Sequence, residues 1–103
     1  MTPRQGEIWW AEAAGKRRPV LIVTRSEAVP ILNDVIVAII TKTIRDIPTE
    51  VRLGAEHGLS IDCVAQFDNL QPIRRALLTS RIGSLGPTSQ SEICRALSAF
   101  ADC

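Results

Sequence analysis

Short apolar segments rich in β-branched residues recur along this chain and are separated by glycine, proline and asparagine–aspartate turns. Segments of this length and composition predict β-strands. The connections between them are too short for the crossovers that parallel strands require, so an antiparallel arrangement is expected. Strands this short and this closely spaced predict a small barrel or a strongly curved sheet. The predicted strands are Glu7–Trp10, Pro19–Thr24, Asp34–Thr41, Thr49–Leu53, Ile61–Phe67 and Arg81–Leu85.

The hydrophobic period changes near the C-terminus. Ser89 followed by Glu92 fits a capping box, with Ser89 as the N-cap residue. Apolar residues then recur at helical spacing, which predicts an amphipathic helix whose apolar face packs on the sheet. A shorter helical turn is expected at Arg74–Leu78. The predicted fold is therefore α+β, a small antiparallel sheet or barrel followed by one packing helix. The apolar positions of that helix are Ile93, Leu97 and Phe100.

At 103 residues, the chain is expected to form one domain spanning residues 1–103. No apolar run approaches the roughly 18 residues of a membrane-spanning helix, and the N-terminus lacks the apolar stretch of a signal peptide. We therefore expect a cytoplasmic protein with no membrane partner. Three cysteines without a paired spacing and one histidine, His57, are a poor set for zinc, so neither a metal nor another cofactor is expected. Cys63 and Cys94 are expected to be buried, reduced thiols.

The segment Arg17–Arg25 begins with two arginines and continues into an apolar strand. Pro19 fixes its own φ and pushes Arg18 toward extended backbone geometry. A guanidinium held at a strand entrance is a planar, permanently charged fork, which suits the recognition of phosphate. The alternative is a solvated turn in front of a core strand, and the local sequence does not distinguish the two.

The chain lacks the motifs of the common catalytic classes. It contains no G-x-S-x-G, Walker A or G-x-G-x-x-G sequence, and its single histidine lies in a predicted turn. Polar residues do stand at the ends of apolar strands. If a curved sheet brings these ends together, an arginine, a hydroxyl and an amide can stabilise an RNA phosphate under attack by its own 2′-OH. The alternative is that these residues only cap strands and form turns. They are Arg18, Thr41, Asp68 and Asn69.

The net charge of +1 argues against nucleic-acid binding through a globally basic surface. Positive charge would have to be concentrated locally, in a groove assembled from several connections between strands. A scattered, solvated set of surface charges is equally compatible with the sequence. The candidate phosphate contacts are Arg17, Arg25, Lys42, Arg45, Arg74 and Arg75.

Six motifs, in order along nearly the whole chain, resemble those of the MazF/PemK-type toxins, the endoribonucleases of bacterial type II toxin–antitoxin systems. The most diagnostic motif is the Arg-Pro turn and the strand after it, at residues 18–23. Asn69 stands where many members of that family carry glutamine, a change that shortens the amide side chain by one methylene. The other five motifs are Gly6–Trp9, Val37–Thr41, Pro48–Val51, Gly58–Ala65 and Arg81–Leu85.

The resemblance implies an SH3-like β-barrel with a C-terminal helix that acts as a homodimer. It implies sequence-specific, metal-independent cleavage of single-stranded RNA that leaves 2′,3′-cyclic phosphate and 5′-OH ends and inhibits translation and growth. It further implies that Arg18 and Thr41 are catalytic and that a cognate antitoxin covers the RNA groove. The same barrel family includes toxins similar to CcdB, which bind DNA gyrase without cleaving RNA. Gyrase binding is the main alternative function, and an inactive member or a general SH3-like interaction module is the third.

Overall fold

The computed structural model describes residues 2–13 and 15–101. The elements in these ranges are β1 Glu7–Ala13, β2 Lys16–Ile22, β3 Asp34–Thr41, β4 Glu50–Leu53, β5 Cys63–Arg74, β6 Leu78–Ser84 and α1 Ser89–Ala101. These six strands form one antiparallel sheet in the order β4-β5-β3-β2-β1-β6. The antiparallel sheet with its C-terminal helix confirms the predicted α+β fold. No helix in the described part of the chain has the length and apolarity needed to cross a membrane.

β5 is longer than the apolar segment that predicted it. The predicted strand ends at Phe67, but β5 continues through Pro72 to Arg74. Proline lacks the N–H of a central strand and is tolerated where one side of the strand has no neighbour. β4 pairs with β5 only at Cys63–Gln66, so Pro72 has a pairing partner on the β3 side alone. The short helical turn predicted after it is a 3₁₀ turn at Arg75–Leu77.

Apolar side chains are buried on both faces of the sheet, because alternate residues of a strand point to opposite faces. On one side, which we call the helix face, Phe67 of β5 belongs to the same cluster as Ile93 of α1. On the other side, which we call the loop face, Val20 and Ile39 cluster with Val29 of the connection between β2 and β3. The strands at the centre of the sheet are therefore covered on both sides, and polar residues are left for the strand ends.

α1 begins differently from the predicted capping box. Its first residue, Ser89, already has helical φ and ψ, because a 3₁₀ turn at Gly86–Thr88 leads directly into the helix. The Ser89 hydroxyl donates a hydrogen bond to the carbonyl oxygen of Gly86 at 2.7 Å. Glu92 forms an ion pair with Arg95 at 3.0 Å instead of reaching back to the N-cap. The predicted capping box is therefore wrong.

The packing face of α1 ends before its last turn. Ile93 and Ala96 are buried, whereas Phe100 is 50% exposed, although its spacing predicts contact with the sheet. Cys63 is buried in β5, as expected. The prediction that Cys94 is buried is wrong, because this residue lies on the solvent side of the helix, beside the buried Ile93 in sequence.

Candidate active site

Arg18 and Thr41 lie on neighbouring strands, at the ends that meet. β2 and β3 pair in the register Val20–Ile39, and Arg18 and Thr41 are each two residues further along their strands. A step of two residues preserves the face of a strand, so both side chains belong to the loop face. The paired ladder between β2 and β3 ends at Val20–Ile39, so Arg18 and Thr41 both lie just beyond its last pair. The register therefore brings the guanidinium and the hydroxyl to the same end of the sheet.

These two residues line a groove of about 590 Å³. The Arg18 side chain is exposed and has no hydrogen-bond or ion-pair partner among the described residues. Thr41 is half-buried, and its Oγ1 accepts a hydrogen bond from the backbone N–H of Thr43 at 3.3 Å. A hydroxyl that accepts one bond still has its own proton to donate. The groove therefore presents an unpaired cation near a hydroxyl donor. Its other lining residues include Lys16, Arg17, Lys42, Gln66 and Asn69.

The groove is cationic, although the whole chain carries a net charge of only +1. Two lysines and two arginines line it, and the described lining residues include no carboxylate and no histidine. Cations gathered without counter-charges create a positive potential that attracts polyanions. The local concentration of positive charge that nucleic-acid binding requires is found here.

Asn69 reaches the groove through an irregularity in β5. One residue of β3 pairs with Leu70 and the next pairs with Gln66, so residues 67–69 bulge out of the ladder. A bulge bends its strand and redirects the side chains that it carries. The Asn69 Oδ1 accepts a hydrogen bond from Gln71 Nε2 at 3.2 Å, and this bond restricts the orientation of the amide. Two amides, Gln66 just before the bulge and Asn69 within it, therefore line the same groove.

The two tryptophans of β1 have different environments. Trp9 is 3% exposed on the loop face, and its Nε1–H donates to Glu7 Oε1 at 3.0 Å. Trp10 is half-buried, and the guanidinium of Arg17 lies 4.4 Å from its ring centroid, within the range of a cation–π contact. Trp10 also lines a second, more apolar cleft of about 500 Å³, which meets the cationic groove at Thr41. Trp10 therefore holds Arg17 beside the groove.

Five of the predicted RNA contacts lie outside the groove lining. Arg74 and Arg75 line a separate pocket that includes Asn33. Arg25 lines a separate cleft on the connection between β2 and β3. Arg45 is exposed on the connection between β3 and β4 and is not part of the lining. The carboxylate of Asp68 accepts a hydrogen bond from the Thr49 hydroxyl at 2.5 Å, outside the groove. The predicted residues that the groove does bring together are Arg17, Arg18, Thr41, Lys42 and Asn69.

Three polar lining residues were missing from the predicted contacts: Lys16, Thr43 and Gln66. Lys16 precedes the two arginines in one cationic run, and this adjacency was a usable signal. Gln66 interrupts the apolar run from Cys63 to Phe67, which is also a signal for a functional side chain. Thr43 has no comparable signal, because its place in the groove depends on how the connection after β3 folds.

Two other side chains that could react, His57 and Cys63, are largely buried in the fold. The His57 side chain is 15% exposed, and its Nδ1 accepts a hydrogen bond from the Gly54 N–H at 3.1 Å, so this histidine caps a turn away from the groove. Burial raises the pKa of the Cys63 thiol, and the nearby Asp62 carboxylate adds to the effect. Among residues 2–13 and 15–101, no three His, Cys, Asp or Glu side chains are grouped so that they could hold a metal ion.

Comparison with known proteins identifies the family. Residues 4–101 match the family described as PemK-like, MazF-like toxin of type II toxin–antitoxin system. The chain is 37% identical to the probable endoribonuclease MazF2 of Mycobacterium tuberculosis over 101 residues. This alignment covers 97% of this chain and 99% of MazF2.

Solved structures agree with this family. The toxin MazF-mt6 of M. tuberculosis superimposes on this chain with a TM-score of 0.83 at 39% sequence identity. The superposition covers 91% of this chain and 95% of the MazF-mt6 chain. An endoribonuclease from a mycobacterial species, solved in complex with its cognate antitoxin, has a TM-score of 0.80 at 27% identity, with coverage of 93% and 91%. The family match over nearly the whole chain and the shared fold confirm the resemblance seen in the motifs: the chain belongs to the MazF/PemK family of toxin endoribonucleases of type II toxin–antitoxin systems.

Proposed function

We propose that this protein cleaves single-stranded RNA at specific sequences by attack of the substrate's own 2′-OH, and that Arg18 and Thr41 are its catalytic residues. The observation that supports this most strongly is the meeting of these two side chains in one cationic groove. Family membership and the names of the relatives support the endoribonuclease activity. The family alone does not identify the reacting groups, so the assignment of roles rests on the groove.

In the proposed reaction the 2′ oxygen forms a bond to the adjacent phosphorus, and the bond from phosphorus to the 5′ oxygen breaks. The products are a 2′,3′-cyclic phosphate and a 5′-OH, and the proton lost by the 2′-OH balances the proton gained by the 5′ oxygen. The crowded phosphorane between them carries extra negative charge on its non-bridging oxygens. Donors aimed at such developing charge are often the largest catalytic contribution.

Arg18 is proposed to clamp that charge. Its guanidinium has no partner among the described residues, so its donors are available to two phosphate oxygens at once. A guanidinium does not lose its proton in proteins, so Arg18 is not the base. The described lining offers no carboxylate or imidazole either. The proton of the 2′-OH is therefore proposed to leave through a phosphate oxygen or water.

The remaining lining residues are proposed to bind the RNA around the scissile bond. The Thr41 hydroxyl donates to a phosphate oxygen, and the amides of Gln66 and Asn69 contact sugar or base edges. Lys42 and Arg17 contact flanking phosphates, which carry no sequence information themselves but set the register of the strand. In this scheme the sequence preference comes from the amides and from the connections that border the groove.

A cleavage assay in EDTA tests the proposal. Wild-type protein and the Arg18→Ala variant are incubated with a long, unstructured RNA, and the ends of the fragments are mapped. Discrete cuts with cyclic-phosphate ends, lost in the variant, are the expected result. Well-folded wild-type protein that makes no cuts would overturn the proposal, and a gyrase supercoiling assay would then test the binding function of similar barrels.

A cognate antitoxin is proposed to inhibit the protein by covering the same groove. A mycobacterial endoribonuclease of this fold has been solved in complex with its cognate antitoxin. An acidic segment is the complementary partner for four lining cations without counter-charges. The protein is also proposed to act as a homodimer, as the family resemblance implies. Sedimentation equilibrium distinguishes a monomer from a dimer, and loss of antitoxin binding in Lys42→Glu tests the groove as its site.

A further inference from the structure

Glu50, the first residue of β4, is a buried carboxylate with an unusual environment. It is 5% exposed and is the buried charged side chain in the described core. Its Oε2 has no hydrogen-bond partner among the described residues. A buried, unsatisfied carboxylate oxygen has lost its hydration without a replacement, which is destabilising. A buried oxygen without a hydrogen-bond partner calls for a structural explanation.

The other oxygen of the same carboxylate holds two successive backbone groups. Glu50 Oε1 accepts hydrogen bonds from the N–H of Arg45 at 3.0 Å and of Asp46 at 3.1 Å. Hydrogen bonds to an ionised acceptor are about twice as strong as those between neutral groups. Asp46 has a φ of +54°, a left-handed conformation that non-glycine residues seldom adopt without support. The Glu50 carboxylate therefore holds a turn of the connection between β3 and β4.

Arg95 of α1 holds the other end of this connection. Arg95 Nη1 donates to the carbonyl oxygen of Pro48 at 2.9 Å, and its Nη2 donates to that of Glu50 at 3.1 Å. The Glu50 N–H in turn donates to the carbonyl oxygen of Ile47 at 3.0 Å. Residues 45–50 are thus connected to the body of the protein by hydrogen bonds at both ends.

One wall of the cationic groove lies immediately before this anchored segment in the chain. Thr41 terminates β3, and the next two residues, Lys42 and Thr43, form part of the groove wall. Only residues 42–44 separate the catalytic strand from the first backbone group that Glu50 holds. The four steps from Thr41 to Arg45 span at most about 14 Å, so fixing both ends restricts where Lys42 and Thr43 can lie.

We propose that Glu50 is a positioning residue that fixes this wall of the groove and thereby determines which RNA sequences are cut. The inference rests on the proposed ribonuclease function. Glu50 touches no reacting atom and acts through the backbone of Arg45 and Asp46 on the two wall residues that follow Thr41. The side chain must be an acceptor at this point, because an apolar residue of equal size would fill the space and leave the N–H groups of Arg45 and Asp46 without a partner. The ion pair between Arg52 and the Asp46 side chain, at 3.0 Å, holds the turn at another atom and does not satisfy these two N–H groups.

The test compares Glu50→Met, Glu50→Gln and wild type. Methionine has a similar volume and no strong acceptor, whereas glutamine keeps one carbonyl oxygen for the two N–H groups. The control is Glu56→Met, since the Glu56 side chain is 80% exposed and lies outside the connection. The first readout is hydrogen exchange at the Arg45 and Asp46 amides. The second is kcat and KM on the preferred RNA site and on a second, weaker site.

Glu50→Met is expected to leave the amides of Arg45 and Asp46 unprotected. It should raise KM for the preferred site about tenfold, the factor of one lost positioned contact, with a smaller change in kcat. The ratio of kcat/KM between the two sites should fall, and Glu50→Gln should restore both protection and preference. Glu56→Met should match wild type.

Two results would overturn the inference: amides that stay protected in Glu50→Met, or an unchanged site preference once they exchange freely. An equal loss of kcat/KM at every site, in step with a lower Tm, would show a merely structural role and would also overturn it. Failure of wild type to cut any RNA would instead refute the proposed function, and with it the RNA part of this inference. Amide exchange would still decide whether Glu50 holds the turn.

Discussion

Arg18 and Thr41 occupy equivalent positions two residues beyond the Val20–Ile39 pair on adjacent antiparallel strands, and both belong to the loop face of the sheet. Both residues line one cationic groove at that end of the sheet. The rest of the groove supplies cations and amides but no acid or imidazole among its described lining. This arrangement leads to specific expectations for variants.

Replacing Arg18 tests the clamp. Arg18→Lys keeps the charge but loses the planar fork that bonds two oxygens at once, so the single-turnover cleavage rate should fall about 100-fold. Arg25→Lys is the matched control, because Arg25 lines a different cleft, and its rate should equal wild type. Near-normal cleavage by Arg18→Lys would contradict the clamp.

Replacing Thr41 tests the hydroxyl donor. Thr41→Val preserves the shape of the side chain and removes the donor, so the cleavage rate should fall about 100-fold while Tm stays near wild type. Thr41→Ser keeps the hydroxyl and should retain most of the rate. If valine and serine variants cleave equally well, the hydroxyl has no role in the reaction.

The salt dependence of RNA binding measures the contacts to phosphate. Each phosphate contact to a single strand contributes a slope of about 0.7 to the fall of log affinity with log salt. Lys42→Gln should therefore reduce the slope by about 0.7, because Lys42 lines the groove. Arg45→Gln removes the same charge outside the lining and should leave the slope unchanged. Binding to a 2′-deoxy-substituted RNA, measured by fluorescence anisotropy, gives these slopes without cleavage. A lower slope in both variants would place Arg45 at the RNA as well.

Two phenylalanines of different burial test the packing of the core. Phe67 is fully buried on the helix face, so Phe67→Ala should lower the free energy of unfolding by about 3–5 kcal/mol. Phe100 is 50% exposed on α1, and Phe100→Ala should change it by less than about 1 kcal/mol. Urea denaturation of the two variants and wild type makes the comparison. A similar loss in both would mean that the end of α1 is buried in solution.

The two described cysteines should differ in reactivity. In a Cys103→Ser background, exposed Cys94 should react rapidly with a disulfide reagent, and Cys63 should react only on unfolding. The pKa of the Cys63 thiol is raised by burial and then by Asp62, so its thiolate forms at higher pH in the folded state than in the unfolded state. Stability should therefore fall as the pH rises above the ordinary thiol pKa, and Cys63→Ala should remove that part of the fall. Rapid labelling of Cys63 in native protein would contradict its burial.

Much of the fold could be predicted from local patterns. Short segments with closely spaced turns predicted an antiparallel sheet, and the helical spacing near the C-terminus predicted α1. The capping box at Ser89 was wrong because a 3₁₀ turn precedes the helix and already supplies its first turn of backbone geometry. The strand end after Phe67 was wrong because Pro72 is tolerated beside the short β4.

The sequence by itself determined the antiparallel character, the family motifs and the two strand-end residues Arg18 and Thr41, since each depends on neighbours within a few positions. Only the tertiary structure decided which charges share the groove, because that depends on register and on pairing between distant segments. Strand alternation places adjacent tryptophans on opposite faces, but only packing decided that Trp9 is the buried one. In the same way, the bulge that brings Asn69 and Gln66 together follows from how β5 pairs with β3, which no local pattern encodes.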